Sequence, residues 1–384
     1  MLVVVARYLF FSHDGFGLGH VRRNTLVARA LQAADPEAEI TIVTGLAVRP
    51  TWAGLRSMHI VQVPPLVKDS TGSYRTAETT FATAVERRSR TFDEVVGDFS
   101  PDVVVVDRHP YGVAGELRAG LDRAVRDGAA LVLGLRDILD DAATVRRELA
   151  GPGWEGAAHL YDQVLTYGER VLCDHEAEYG LPVAPQYCGW VVDRATPGER
   201  DRRLLVVTGG GGGDGDDVYR LGIDVTMVLP QLRTVLVAGP YADSALADRL
   251  AAERGGRVRV LRNTSDCAAL MTRAGAVIQM AGYNSTLEAL AAGVRPILVP
   301  RRAPRREQAI RAVRLAAMDV ADVVDDEVST AELSWLLSRP RVLPPGALEA
   351  AGIRLDGAER AAAAIRDLAP GAARRPRVGS GAAV

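Results

Sequence analysis

The stretch Ala274–Gln308, AGAVIQMAGYNSTLEALAAGVRPILVPRRAPRREQ, decides how the rest of the chain is read. Its apolar run Ala276-Val277-Ile278, bounded by glycine and polar residues, predicts a buried strand. A turn follows at Ala281-Gly282-Tyr283-Asn284. Ser285-Thr286-Leu287-Glu288 then reads as a helix start, a small hydroxyl residue with a carboxylate three positions on. The helix Thr286–Ala292 is Ala- and Leu-rich and stops at Gly293, a usual residue after a helix C-terminus. A second apolar strand, Pro296–Val299, and a polar loop lead into another helix at Glu307-Gln308. Such a strand–turn–helix–strand–loop–helix unit brings two polar clusters to the carboxyl ends of neighbouring parallel strands, where open α/β sheets bind ligands.

The chemistry this unit suits is the holding of a nucleotide sugar. A helix N-terminus at Asn284-Ser285-Thr286 offers amides and positive dipole to a diphosphate. Glu288 can accept both hydroxyls of a ribose, and Glu307 and Gln308 suit sugar hydroxyls. The same residues also fit one more βα unit, with Glu288 in a capping box and Glu307-Gln308 at a solvated helix start.

Working outward, Val3–Phe11 is a first strand and Ser12–Gly19 (SHDGFGLG) a glycine-rich turn, with His20 opening a helix that runs to about Ala34. The glycines stand at 15, 17 and 19, outside GxGxxG spacing, and the second strand, Glu39–Thr44, ends without an acidic residue for an adenosine ribose. A cofactor of the NAD type is therefore not expected. His59–Val63 is a short strand and Pro64–Thr76 a polar loop. Ala77–Phe99 is a long helix whose 86–90 run, Glu-Arg-Arg-Ser-Arg, reads as a solvated face. Asp102–Asp107 (DVVVVD) is a buried strand. Asp107 at its end could orient His20, act on its own account, or cap a helix beginning near Val113. Leu131–Gly134, Val164–Tyr167 and Gln186–Cys188 complete a parallel set. Leu204–Val207 begins a second one and is followed by TGGGGGDG (208–215), whose glycines let backbone amides approach a phosphate closely. Thr234–Ala238, Val258–Leu261 and Val323-Val324 are further strands. Leu246–Glu253, Thr330–Leu337 and Ala347–Leu368 are helical, the last a candidate to cross back to the first half. The Gly-, Ala-, Arg- and Pro-rich end, 370–384, has the composition of a disordered tail.

On GLGHVRRN (17–24), LGLRDILD (133–140) and GYNSTLE (282–288), together with Ser285 to Glu288, Ala291-Ala292-Gly293, Pro296 and Glu307-Gln308, the chain resembles GT-B glycosyltransferases. The likeness is to the inverting group that contains the peptidoglycan lipid-linked N-acetylglucosamine transferase, in a branch of predicted glycosyltransferases, and it covers most of residues 7–340. It implies two Rossmann-like domains facing across a cleft: 1–190 on the acceptor side, a linker 191–203, and a nucleotide-sugar domain 204–369. It implies inverting transfer of a sugar from a nucleotide diphosphate, UDP-type, to a hydroxyl or amine of a small-molecule or lipid-linked acceptor. The alternatives are a 2-epimerase of the same fold and a non-catalytic nucleotide-sugar or glycan-binding protein. In the resembling enzymes a histidine at the start of the first helix lies near the reacting carbon, which makes His20 the base, with Asp107 beside it. Gly209, Gly210 and Gly211, with Gly282, Tyr283, Asn284, Ser285 and Thr286, are implied to hold the diphosphate. Arg262 and Asn263 stand where the family holds the base of the nucleotide, Glu288 takes the ribose, and Glu307 and Gln308 take the sugar. His13, Gly17, Gly19, Arg136 and Asp137 line the acceptor side. No metal and no cofactor are implied.

Composition agrees with two globular domains and excludes some partners. The chain has 384 residues, 48% hydrophobic, with a net charge of −2, which gives no sign of nucleic-acid binding. Lys68 is the only lysine, leaving 46 − 1 = 45 arginines, a bias read as codon usage rather than phosphate recognition. Cys173, Cys188 and Cys267 form neither a disulfide framework nor a zinc pattern, and a reducing cytoplasm fits. No apolar run approaches the roughly 20 residues that a membrane span needs, and the apolar start reads as a strand rather than a signal peptide.

Overall fold

Four consecutive valines, Val103–Val106, can be strand and nothing else only if both faces are covered, and a parallel sheet between helices supplies that cover. In the computed structural model they are fully buried at the middle of such a sheet. The structure describes residues 5–13, 19–46, 58–68, 74–76, 79–196, 198–211, 215–239, 255–262, 264, 267–301, 303 and 305–369. Among these, the first half contributes β1 (Arg7–Ser12), β2 (Glu39–Thr44), β3 (His59–Gln62), β4 (Val67–Lys68), β5 (Tyr74–Arg75), β6 (Val103–Asp107), β7 (Ala130–Arg136), β8 (Gln163–Tyr167) and β9 (Gln186–Tyr187). The second contributes β10 (Asp201–Thr208), β11 (Arg233–Val237), β12 (Val258–Leu261), β13 (Ala274–Gln279), β14 (Ile297–Leu298) and β15 (Asp322–Val323).

Apart from β4 and β5, each half folds its strands into one parallel sheet, in the orders β3-β2-β1-β6-β7-β8-β9 and β12-β11-β10-β13-β14-β15. In both, the strand order reverses beside the first strand, between β1 and β6 and between β10 and β13. At such a reversal the flanking helices leave to opposite faces, opening a crevice at the carboxyl ends of the strands. The segment 64–76, read as a polar loop, holds the short antiparallel pair β4 and β5. Strand β10 starts at Asp201, so the last residues of the expected linker 191–203 belong to the sheet.

The halves are not independent. Leu287, Leu290, Ala312 and Leu315 of the second half bury their side chains in the same apolar cluster as Trp190, Val191 and the β1 residues. Full burial of each leucine contributes about 1.5–3 kcal/mol. The helix Gly357–Arg366 packs on the helix Gly19–Ala34, and its approach is pinned by Trp190 N donating to Arg354 O at 2.8 Å and Gly357 N donating to Trp190 O at 3.1 Å. Arg88, expected on a solvated face, is instead buried, donating to Glu116 at 3.1 Å and to Pro64 O at 2.8 Å. The helix Leu246–Glu253, Gly17, Asn263, the loop 212–214 and the tail 370–384 lie outside the described residues.

Candidate active site between the two sheets

The two strand-order reversals meet. From the first sheet, the helix Gly19–Ala34 begins at the end of β1; from the second, the helix Tyr283–Ala291 begins just after β13. Asn284 Nδ2 donates to Gly19 O at 3.4 Å, so the N-termini of the two helices lie against each other.

On the first side, His20 Nδ1 lies 3.0 Å from Asp107 Oδ2. Arg23, one turn along the same helix, donates to both oxygens of Asp107, at 2.7 and 2.6 Å. Asp107 is 1% exposed, and burial alone would push its carboxyl up. The Arg23 guanidinium and His20 outweigh that penalty and hold it well below the usual carboxylate range. An ionised carboxylate only accepts. Nδ1 therefore carries the proton toward Asp107, and the 3.2 Å approach of Arg23 to Nδ1 is a contact between two donors. In a neutral ring so oriented the lone pair falls on Nε2, the tautomer a general base needs. Capping of a helix by Asp107 does not occur, since the next helix begins only at Arg118. His13, at the end of β1, is buried with Nε2 3.2 Å from Tyr74 Oη, and its ring lies 6.2 Å from that of His20 and 4.9 Å from that of His109.

On the second side, the helix starts at Tyr283, two residues before the expected capping box. Gly282 is its N-cap, with no side-chain cap bond. Thr286 N donates to Gly282 O at 3.0 Å, so the amides of Tyr283, Asn284 and Ser285 are those the helix leaves over. Ser285 Oγ turns back to Gly282 O at 3.3 Å. The register places Glu288 in the second turn, where it cannot reach the cap. It is buried instead against Arg22 of the first half, as an ion pair. Burial outweighs that partner and raises the Glu288 carboxyl above its ordinary value. The Tyr283 side chain leaves the crevice altogether: its hydroxyl donates to Tyr167 O at 2.9 Å and accepts from Val191 N at 3.1 Å.

The glycine loop after β10 shows why glycines stand there. Gly210 and Gly239 both have positive φ, and a Cβ on Gly239 would collide with the Gly210 carbonyl. Gly209 is packed under Tyr219, leaving Gly210 and Gly211 outermost of the three. Arg262 is exposed at the end of β12. Glu307 and Gln308 open the helix Glu307–Ala317. Both are buried, with Arg301 donating to Glu307 Oε1 at 3.0 Å and the Arg301 amide donating to Gln308 Oε1 at 3.3 Å. Although burial pushes the Glu307 carboxyl up, Arg136, Arg301 and Arg311 bring it below its ordinary value. Its Oε2 is buried with no hydrogen-bond partner among the described residues.

Asp137 departs from the expected acceptor side. It is buried and accepts from Nε and Nη2 of Arg311, at 2.8 and 2.7 Å, and serves as a clamp between the halves. Arg22, Arg23 and Arg311 were not singled out by the sequence, because their partners are remote in it: Arg311 and Asp137 are 174 positions apart. The only local signal was that Arg22 and Arg23 follow His20 directly.

No family model matches the chain, and no curated protein matches it. Solved structures do. The kitacinnamycin glycotransferase is 16% identical, with a TM-score of 0.65 over 96% of this chain and 100% of that one. MurG of Acinetobacter baumannii is 16% identical, with a TM-score of 0.60 over 95% of this chain and 100% of that one. Medicago truncatula UGT71G1, solved with UDP-glucose, is 12% identical, with a TM-score of 0.61 over 95% of this chain and 98% of that one. With its two parallel sheets, each reversed beside its first strand and joined at their carboxyl ends, the chain has the GT-B fold of these glycosyltransferases.

Proposed function

We propose that the chain is an inverting glycosyltransferase that moves a sugar from a UDP-type nucleotide diphosphate to a hydroxyl or amine. The observation that carries this reading is the meeting of a His–Asp pair with an uncapped helix N-terminus, one from each strand-order reversal. His20 Nε2 takes the acceptor's proton as its oxygen or nitrogen attacks the anomeric carbon from the face opposite the diphosphate. The charge of the leaving diphosphate falls on the amides of Tyr283, Asn284 and Ser285, with Gly210 and Gly211 across from them. Glu307 and Gln308 hold sugar hydroxyls, and Oε2 of Glu307 is a buried acceptor in need of one. Glu288 takes the ribose hydroxyls, for which Arg22 must release it. The UDP-glucose held by UGT71G1 supports the donor class. No helix among the described residues is long and apolar enough to cross a membrane, and Cys173, Cys188 and Cys267 are free thiols.

A panel of nucleotide sugars tested by thermal shift checks the donor. A ligand at 100 times its dissociation constant adds about 2.7 kcal/mol of stability. UDP-sugars are expected to raise the midpoint and bare sugars to leave it alone. A panel in which no nucleotide sugar moves the midpoint removes the reading.

A further inference from the structure

One cluster of guanidiniums in the cleft, around Glu148, Glu307 and Asp137, has no part in the chemistry above. Arg108, directly after Asp107, donates to Glu148 at 2.7 Å, and Arg305 lies 3.9 Å from the same carboxylate. Arg301 and Arg136 share Glu307, at 3.0 and 3.9 Å, while Arg311 is taken by Asp137. Five guanidiniums thus meet three carboxylates, an excess of 5 − 3 = 2 positive charges among these side chains. Adding Arg306 and Asp140, whose carboxylate accepts the Arg306 amide, leaves the excess unchanged. The two with no carboxylate of their own are Arg305 and Arg136. Arg136 donates from Nη2 to Leu139 O at 3.0 Å, but its buried Nε has no hydrogen-bond partner among the described residues. Burial, with the like charges of Arg108, Arg311 and Arg305 against Glu307 alone, brings Arg136 down to about 10, so it remains charged at neutral pH. Arg136 and Arg305 are only 18% and 23% exposed, and surplus charge withdrawn this far from water is costly unless something pairs it.

The position indicates which substrate supplies the pair. Arg108 and Arg136 close the ends of β6 and β7 in the first half, and Tyr74, which contacts His13, feels both Arg108 and Arg305. The surplus therefore lies on the acceptor side of the His20 pair. We propose that the acceptor carries an anionic group, a carboxylate or a phosphate, and that Arg136 and Arg305 receive it. This rests on the transferase reading for the word acceptor, but not for the anion site itself. The guanidinium fork fits either group, since both present paired oxygens. The role also gives a structural meaning to part of the run Arg301–Arg306, which composition alone assigns to codon usage.

The test is calorimetry on the full chain with three probes: 4-hydroxybenzoate, its methyl ester, and phenyl phosphate. The expected result is that at least one anion binds about tenfold or more tighter than the neutral ester. Arg136→Met with Arg305→Met should abolish that preference, Arg136→Lys should keep part of it, and unfolding midpoints should show that the variants are folded. Equal binding of ester and anions, no binding of any probe, or a preference that survives in the double variant would overturn the proposal. A parallel titration compares UDP-glucuronate with UDP-glucose. If an Arg136-dependent preference appears only there, the anion belongs to the donor sugar and the acceptor assignment is wrong. A chain that prefers the anionic probes but binds no nucleotide sugar keeps the anion site and loses the transferase reading. The reverse pattern keeps the transferase and loses the site.

Discussion

His20 and Asp107 stand 87 positions apart and meet because β1 and β6 are neighbours in the sheet. That pairing was open to sequence reasoning, since a residue ending one strand can reach the start of a helix that follows the adjacent strand. Arg23 was not, and it changes the chemistry: it keeps Asp107 ionised, which fixes the tautomer of His20. Replacing His20 with alanine is expected to cut turnover roughly 10²–10⁴-fold with donor affinity nearly kept. A variant retaining most of its turnover would move the role of base elsewhere. Asp107 also predicts a pH response. Its folded value lies below that of the unfolded chain, about 3.9, so its stabilisation is complete above that pH and is lost as pH falls toward the folded value. Asp107→Asn should therefore show less acid destabilisation below about pH 4 than the parent chain, measured as unfolding midpoint against pH. Glu288 has the opposite sign. Its raised value means that stability is full below about pH 4 and declines as pH rises through the folded value. Glu288→Gln is expected to raise the midpoint of the ligand-free protein at pH 7, with the gain vanishing near pH 4, while weakening nucleotide binding by roughly 1.5–3 kcal/mol. A variant with unchanged nucleotide affinity would take Glu288 out of the site.

At the scale of elements, the strands were legible because valine-rich runs leave few alternatives. Glu39–Thr44 and Val258–Leu261 occur with the boundaries expected. The start of the helix Tyr283–Ala291 was misplaced because Ser285 and Glu288 have capping-box spacing, whereas the chain enters the helix through Gly282. The misreading concealed the part played by Tyr283, whose hydroxyl ties this helix to Tyr167 and to the linker at Val191. Tyr283→Phe leaves the Val191 amide and the Tyr167 carbonyl without this partner in a buried place, at a cost of about 1–3 kcal/mol. Denaturant unfolding checks this, and a loss below a few tenths of a kcal/mol would mean that water replaces the hydroxyl.

For the whole molecule, the order of motifs along the chain made the two-sheet architecture legible, but not the surface on which the halves meet. Around its apolar core that surface carries long-range arginine pairs, Arg311 with Asp137, Arg314 with Glu178 and Arg22 with Glu288, which no local pattern announces. Asp137→Ala leaves Arg311 buried and unpaired and is expected to cost about 3–5 kcal/mol, read from the unfolding midpoint. The activity proposed for the facing strand ends is sugar transfer with inversion. The most direct measurement is a proton NMR time course of the chain with an α-linked UDP-sugar, with and without a phenolic acceptor. The account predicts that UDP appears together with a β-linked product, and only when acceptor is present. An α-linked product, an epimerised sugar formed without acceptor, or an intact donor with every acceptor would contradict it.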